Sequence, residues 1–128
     1  MTDATDNELH VARMREAIAL AEQAEQTGEV PVGALLVLDG EIVGRGFNRP
    51  IVDNDPTAHA EIRALRDAGR HLGTYRFPGS VLYVTLEPCA MCAGAISLAR
   101  IRRLVFAATD EKGGAVLSGP RYFDQPTC

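Results

Sequence analysis

The chain has 128 residues, of which 46% are hydrophobic and 23% charged, and its formal net charge at pH 7 is −4. This composition predicts one globular domain over residues 1–128. No apolar run approaches the roughly 20 residues that cross a bilayer, and residues 1–6 are too polar and acidic for a signal peptide. We therefore expect a cytoplasmic protein without a membrane segment, and the acidic balance argues against a general polyanion-binding surface.

The first half of the chain shows a helix and then a hairpin. Helical spacing of apolar residues predicts a helix over residues 6–26. Residues 30–38 are almost continuously apolar and predict a buried strand, and residues 41–47 predict the strand that returns beside it. Asp39-Gly40 lies between them and is a strong signal for a two-residue hairpin turn.

The second half alternates helices and strands. Asp55-Pro56 is typical of an N-cap followed by the first helical residue, which predicts a helix from Pro56 to about Arg70. An apolar strand over residues 80–86, a helix over 89–99 and a strand over 101–108 then form a βαβ unit. Its two strands should therefore be parallel.

Two short motifs near helix starts carry the chemistry, H-x-E at residues 59–61 and P-C-x-x-C at residues 88–92. One imidazole and two thiols, from His59, Cys89 and Cys92, suit a tetrahedral Zn²⁺ and leave its fourth position open. An open position is typical of a catalytic zinc site. Glu61 is then the natural proton carrier, close to the metal but not bound to it. We expect one Zn²⁺ per chain.

Other interpretations of these motifs remain open. A C-x-x-C pair at a helix start is also typical of a dithiol oxidoreductase, although Glu61 would then have no role. A non-catalytic zinc module would need a fourth protein ligand, for which Cys128, His10 and His71 are the candidates. Glu87 is interpreted only as a residue that holds the turn before Pro88.

Longer segments around the motifs resemble bacterial tRNA-specific adenosine deaminases, members of the zinc-dependent cytidine-deaminase-like superfamily. The similar segments are VPVGA at 30–34, NRP at 48–50, DPTAHAEI at 55–62 and YVTLEPCAMCAGA at 83–95. The resemblance extends from about Met14 to Gly114. It implies a three-layer α/β/α sandwich around a mixed sheet, a homodimer, and hydrolytic conversion of the wobble adenosine of a tRNA anticodon stem-loop to inosine.

The same resemblance implies roles for individual residues. Zinc would be held by His59, Cys89 and Cys92, while Glu61 would move protons from water to the adenine ring and to the leaving ammonia. The backbone N–H of Cys89 or Ala90 would face the attacking oxygen. The residues that it implies for substrate binding are Asn48 at the base or sugar, Val30 and Ala58 in the pocket wall, and Asp110 at a neighbouring nucleotide.

The end of the chain differs from the usual family pattern. The family usually continues past this point with a further strand and a C-terminal helix that touches RNA, and we expect both to be missing here. A deaminase of a free nucleobase or nucleoside (guanine, adenine or cytosine) on the same scaffold is therefore the alternative function. For Asn48 and Asp110, an ordinary turn or a solvated loop is the simpler interpretation.

Overall fold

Three α-helices and four strands make up most of the described chain. The structure, a computed structural model, describes residues 3–126, with side chains from residue 6 onward, so Cys128 lies outside the described residues. The elements are α1 (Asp3–Gln26), β1 (Gly33–Leu38), β2 (Glu41–Phe47), α2 (Ala60–Leu72), β3 (Val81–Leu86), α3 (Ala90–Leu98), β4 (Arg103–Ala108) and a short 3₁₀ helix (Tyr122–Asp124). No helix in this part of the chain is long and apolar enough to span a membrane.

The four strands form one mixed sheet in the order β2-β1-β3-β4. β1 is antiparallel to both of its neighbours, and β3 and β4 are parallel, as the βαβ pattern predicts. Asp39 and Gly40 join β1 to β2 with positive φ angles of 52° and 79°, which is the conformation that a tight two-residue hairpin turn requires. The predicted hairpin and the mixed sheet are both confirmed.

Helices cover both faces of the sheet. On one face α1 packs through Ala17 against a buried cluster that includes Leu35 and Tyr83. On the other face α2 and α3 pack against a larger cluster that includes Leu36 and Leu82. This is the predicted three-layer α/β/α sandwich. Between β4 and residue 126 the structure contains no further strand, so β4 is an edge of the sheet.

Two glycines let α2 lie directly on the backbone of β2. A Cβ atom at Gly46 would lie 2.5 Å from the carbonyl oxygen of Ala60, and one at Gly44 would lie 2.3 Å from that of Ala64. Both distances are far below van der Waals contact, so no other residue fits without moving the helix. Because Ala60 is the first residue of α2, this contact sets the position of the helix start that follows His59.

Gly46→Ala is expected to destabilise the protein by about 1–3 kcal/mol, the usual cost of overpacking a close contact. Gly94→Ala in α3 is the matched control, since a Cβ there meets only the Tyr122 hydroxyl at 3.8 Å. That change should be neutral or stabilise by up to about 1 kcal/mol because alanine is the better helix former. Urea unfolding measures both, and equal effects at the two sites would contradict the packing explanation.

α2 begins at Ala60, four residues later than the predicted start at Pro56. The Asp55 carboxylate accepts hydrogen bonds from the Thr57 N–H at 2.8 Å and the Thr57 hydroxyl at 2.7 Å. Its carbonyl also accepts the Ala58 N–H at 3.1 Å, so residues 55–58 form a turn instead of a first helical turn. His59 is consequently the N-cap of α2.

Candidate metal centre and active site

Three candidate ligands meet where two helices begin. His59 is the N-cap of α2 and Cys89 is the N-cap of α3, both with extended backbone, and Cys92 lies in the first turn of α3. β3 leads directly into Cys89, and the contact between β2 and α2 holds His59 opposite it. The positive ends of both helix dipoles therefore face this point, which favours thiolates there.

The spacing of the three donor atoms fits a zinc ion. His59 Nδ1 lies 3.6 Å from Sγ of Cys89 and 3.6 Å from Sγ of Cys92. All three ligand atoms lie within 4.8 Å of one another. Ordinary Zn–S and Zn–N bonds at tetrahedral angles place S and N donors about 3.6 Å apart. Donor chemistry and geometry therefore agree with a tetrahedral site that has three protein ligands.

The other histidines lie elsewhere. Nδ1 of His10 is 2.5 Å from the Tyr83 hydroxyl, on the face of the sheet that α1 covers. Nδ1 of His71 is 3.1 Å from the carbonyl of Val43. Within residues 3–126 the structure therefore supplies no fourth His or Cys ligand, as an open, catalytic type of site requires.

Glu61 is buried beside the three ligands, with only 4% of its surface exposed. Burial raises its pKa to about 6, the neighbouring Cys89 thiolate adds to the rise, and His59 opposes it. A carboxyl group with a pKa near neutrality can both accept and release a proton at physiological pH. The geometry therefore gives Glu61 the properties of a proton carrier.

Cys89 is the more acidic of the two thiols. A hydrogen bond from the Cys92 thiol is the largest cause that lowers its pKa, to about 5, and nearby His59 also favours the thiolate, while burial opposes both. A thiolate is the form that binds metal.

A cavity of about 300 Å³ is lined by two of the ligands, His59 and Cys89, and by Glu61. This volume lies at the lower limit for small-molecule sites, large enough for one nucleobase. Val30, Asn48 and Asp110 line it, as the resemblance implies, together with Val32, Pro50 and Leu86. Ala58 is fully buried and does not line the cavity.

Ala90 is the first residue of α3, where a backbone N–H has no partner within the helix.

Asn48 has two roles in this geometry. Its Oδ1 accepts a hydrogen bond from the Ala60 N–H at 2.8 Å, which satisfies a free donor at the start of α2. The side chain also lines the cavity, and its amide nitrogen keeps two N–H donors while the oxygen is engaged. A plain turn asparagine, the simpler interpretation, would not cap a helix 12 residues away, and substrate binding by Asn48 stays a prediction.

Substitutions at Asn48 should separate these roles. Asn48→Ala is expected to destabilise the protein by about 1 kcal/mol through the lost helix cap and to weaken substrate binding. Asn48→Asp keeps the acceptor for Ala60 but loses the N–H donors, so stability should recover while substrate binding stays weak. Thermal unfolding and steady-state kinetics measure the two effects, with metal content unchanged. Unaltered kinetics in both variants would leave Asn48 as a helix cap only.

Two buried glutamates near the cavity make contacts that the sequence did not reveal. Glu29 accepts the N–H groups of Ile51 at 3.2 Å and Val52 at 2.9 Å, and Glu87 accepts several N–H groups of the segment after β4. Each glutamate directly flanks an apolar stretch, and this is the only signal that pointed to burial. The partners are 22 or more residues away along the chain, so the contacts themselves are not visible in the sequence.

Residues 7–108 match the family model of the cytidine and deoxycytidylate deaminase zinc-binding region. The chain belongs to this deaminase family. The family match and the His-Cys-Cys cluster identify the same region, since all three ligands lie within the matched residues. A dithiol oxidoreductase and a non-catalytic zinc module are not favoured by this membership.

Among curated proteins the deaminase is similar to tRNA-specific adenosine deaminases. It is 58% identical to that of Agrobacterium fabrum over 90% of this chain and 76% of the relative. It is 57% identical to that of Haemophilus influenzae over 87% of this chain, which spans 65% of that relative's length. The predicted resemblance is confirmed, and the matched segment covers about two thirds to three quarters of these longer relatives.

Among solved structures too, a tRNA adenosine deaminase is more similar to this chain than a guanine deaminase is. A tRNA:A34 deaminase, studied for A-to-I editing at the wobble position of transfer RNA, superimposes with a TM-score of 0.90 and 57% identity over 92% of this chain and 86% of the other. The guanine deaminase from Bacillus subtilis superimposes with a TM-score of 0.73 and 39% identity over 85% of this chain and 66% of the other. The predicted cytidine-deaminase-like fold is confirmed.

Proposed function

We propose that this deaminase converts adenosine at the wobble position of tRNA to inosine by zinc-dependent hydrolysis. The observation that carries the proposal is the buried Glu61 beside three well-placed zinc ligands, in a cavity that suits one base. The similarity to tRNA-specific adenosine deaminases at 57–58% identity supports adenosine in tRNA as the substrate. An anticodon loop suits such a site because its bases are readily turned out of the stack.

The proposed reaction adds water at C6 of adenine and releases ammonia, so adenosine and water yield inosine and ammonia. His59, Cys89 and Cys92 would hold one Zn²⁺, which lowers the pKa of a water molecule when bound. Glu61 would accept one proton from water and donate it to the ring nitrogen N1. It would then take the second proton from the hydroxyl group at C6 and donate it to the departing amino group. The backbone N–H of Cys89 or Ala90 would donate a hydrogen bond to the oxygen at C6.

The remaining cavity residues would bind the base and its neighbours. Asn48 would donate from its amide to the base or sugar, and Val30 would form an apolar wall. Asp110, at the cavity edge, would contact an adjacent nucleotide. Ala58 would not contact the base but would pack behind the cavity wall, since its side chain is fully buried. The proposal also includes a homodimer and a cytoplasmic location.

Free guanine or another free base is the alternative substrate, supported by the similarity to a guanine deaminase at 39% identity. It is the weaker proposal, because the tRNA-specific relatives are more similar over a comparable share of the chain. The acidic net charge of −4 alone would suit a small substrate.

Inosine formation in an anticodon stem-loop with a wobble adenosine tests the proposed function. We expect inosine from the intact protein and a rate, at low substrate, that falls as salt rises, because phosphate contacts release counterions. Free guanine, adenine and cytosine are assayed in parallel, and their turnover should barely respond to salt. Turnover of a free base with no inosine in the stem-loop, from folded and zinc-loaded protein, would contradict the proposal.

A further inference from the structure

The Glu87 carboxylate lies inside a loop that follows β4. Its side chain is buried, and Oε1 accepts the Asp110 N–H at 3.0 Å and the Ser118 hydroxyl at 3.0 Å. Oε2 accepts the N–H groups of Val116, Leu117 and Ser118 at 3.0, 2.9 and 2.9 Å. One side chain thus binds both ends of residues 110–118, here called the pocket loop.

The pocket loop closes tightly around this carboxylate. A Cβ atom at Gly114 would lie 2.5 Å from Cδ of Glu87 and 2.5 Å from the carbonyl oxygen of Asp110. The Ala115 N–H also donates to the carbonyl of Pro88 at 2.9 Å. The loop contains neither helix nor strand. Its conformation is therefore held by these contacts and not by the regular backbone hydrogen bonds of a helix or sheet.

The hydrogen bonds to Glu87 are charge-assisted. Every group that contacts the carboxylate in the hydrogen bonds above is a donor, four backbone N–H groups and one hydroxyl, so Glu87 accepts in its ionised form. Hydrogen bonds from N–H groups to an ionised acceptor are about twice as strong as those between neutral groups.

The pocket loop also forms one wall of the active-site cavity. Asp110 and Gly113 line the cavity. Oδ1 of Asp110 accepts the N–H groups of Lys112 and Gly113, both at 3.1 Å, so the side chain of Asp110 is held by the same loop that Glu87 orders. Glu87 lies two residues before Cys89, the N-cap of α3. Its hydrogen bonds therefore connect the start of α3 to this wall of the cavity.

We propose that Glu87 is a positioning residue whose carboxylate holds the pocket loop in its substrate-binding conformation and so sets affinity for the nucleic-acid substrate. The identity of that substrate rests on the proposed function. Glu87 acts through Asp110 and Gly113 and leaves the proton transfers to Glu61. Its loss should therefore affect KM and not kcat.

Glu87→Gln tests this inference because glutamine keeps the shape but places an NH₂ group against N–H donors. With the anticodon stem-loop as substrate we expect KM to rise about tenfold, kcat to change by less than about twofold, and zinc content to stay the same. Amide hydrogen exchange should become faster at residues 116–118 without a general increase elsewhere. A fall in kcat at unchanged KM, or unchanged exchange at 116–118, would overturn the proposal.

Glu29→Gln is the matched control, since Glu29 is also buried and accepts the N–H groups of Ile51 and Val52 instead of those of the pocket loop. It should speed exchange at 51–52 and leave 116–118 unchanged. If Glu87→Gln does not fold, Ser118→Ala tests the same role, because it removes only the hydrogen bond from the Ser118 hydroxyl to Glu87. We then expect KM to rise about threefold at constant kcat. No inosine from the unaltered protein would refute the proposed function, while the exchange result would still judge the role of Glu87.

Discussion

Glu61→Ala is expected to lower kcat for inosine formation by about 10²–10⁴-fold, the usual contribution of a positioned general acid–base group. The loss follows because Glu61 is the buried carboxyl beside the candidate ligands and the group proposed to move protons to N1 and to the leaving ammonia. Zinc content should remain at one per chain, since Glu61 is not among the three candidate ligands. Product analysis and metal determination on the same sample measure both quantities.

Glu61→Gln provides the matched comparison. Glutamine retains the size of the side chain and one acceptor oxygen but cannot carry a proton at neutral pH. Glu61→Ala and Glu61→Gln should therefore have similarly low activity and similar thermal stability. Stoichiometric loss of zinc in both would show that Glu61 binds the metal, and the proposed role would then be wrong.

Cys89→Ala and His59→Ala are expected to remove both zinc and activity. A site with three protein ligands loses one third of its protein donors in either variant, and the remaining pair cannot complete a tetrahedral arrangement. Zinc per chain should fall to near zero after dialysis, and inosine formation should fall with it. Added zinc should restore neither variant, whereas it should restore the unaltered protein after treatment with a chelator.

His71→Ala is the control for His59→Ala, because His71 lies in the last turn of α2, His59 is its N-cap, and of the two His59 lies in the cluster. His71 contacts the carbonyl of Val43 instead, so its removal should leave zinc content and turnover unchanged. Loss of zinc in His71→Ala, or retention of zinc in Cys89→Ala, would mean that the ligands have been wrongly assigned.

The sequence was most informative where the chemistry depends on residue type and short spacing. H-x-E and P-C-x-x-C pointed to Glu61, His59, Cys89 and Cys92 without structural help, because residue types at such short spacing are local features of the chain. The hairpin at Asp39-Gly40 and the parallel strands β3 and β4 could be predicted for the same reason, since turn chemistry and a βαβ pattern are local features.

The start of α2 was predicted less well. Asp55-Pro56 is a valid local signal for a helix start, but the Asp55 carboxylate bonds to Thr57 within a turn. The first helical N–H is instead satisfied by Asn48, which is 12 residues away in sequence. Such a partner is known only once β2 and α2 are packed together.

By itself, the sequence indicated the zinc-type ligand set and a candidate proton carrier, because these depend on residue types and short spacing, and the family resemblance implied the three-layer arrangement. Tertiary structure alone decided which polar residues surround the cavity. It separated Asn48 and Asp110, which line it, from Ala58, which is buried, and it placed Glu87 inside the pocket loop. The physical reason is that a buried carboxylate or amide takes whichever N–H donors folding brings to it, and those donors lie 12 to 31 residues away along the chain.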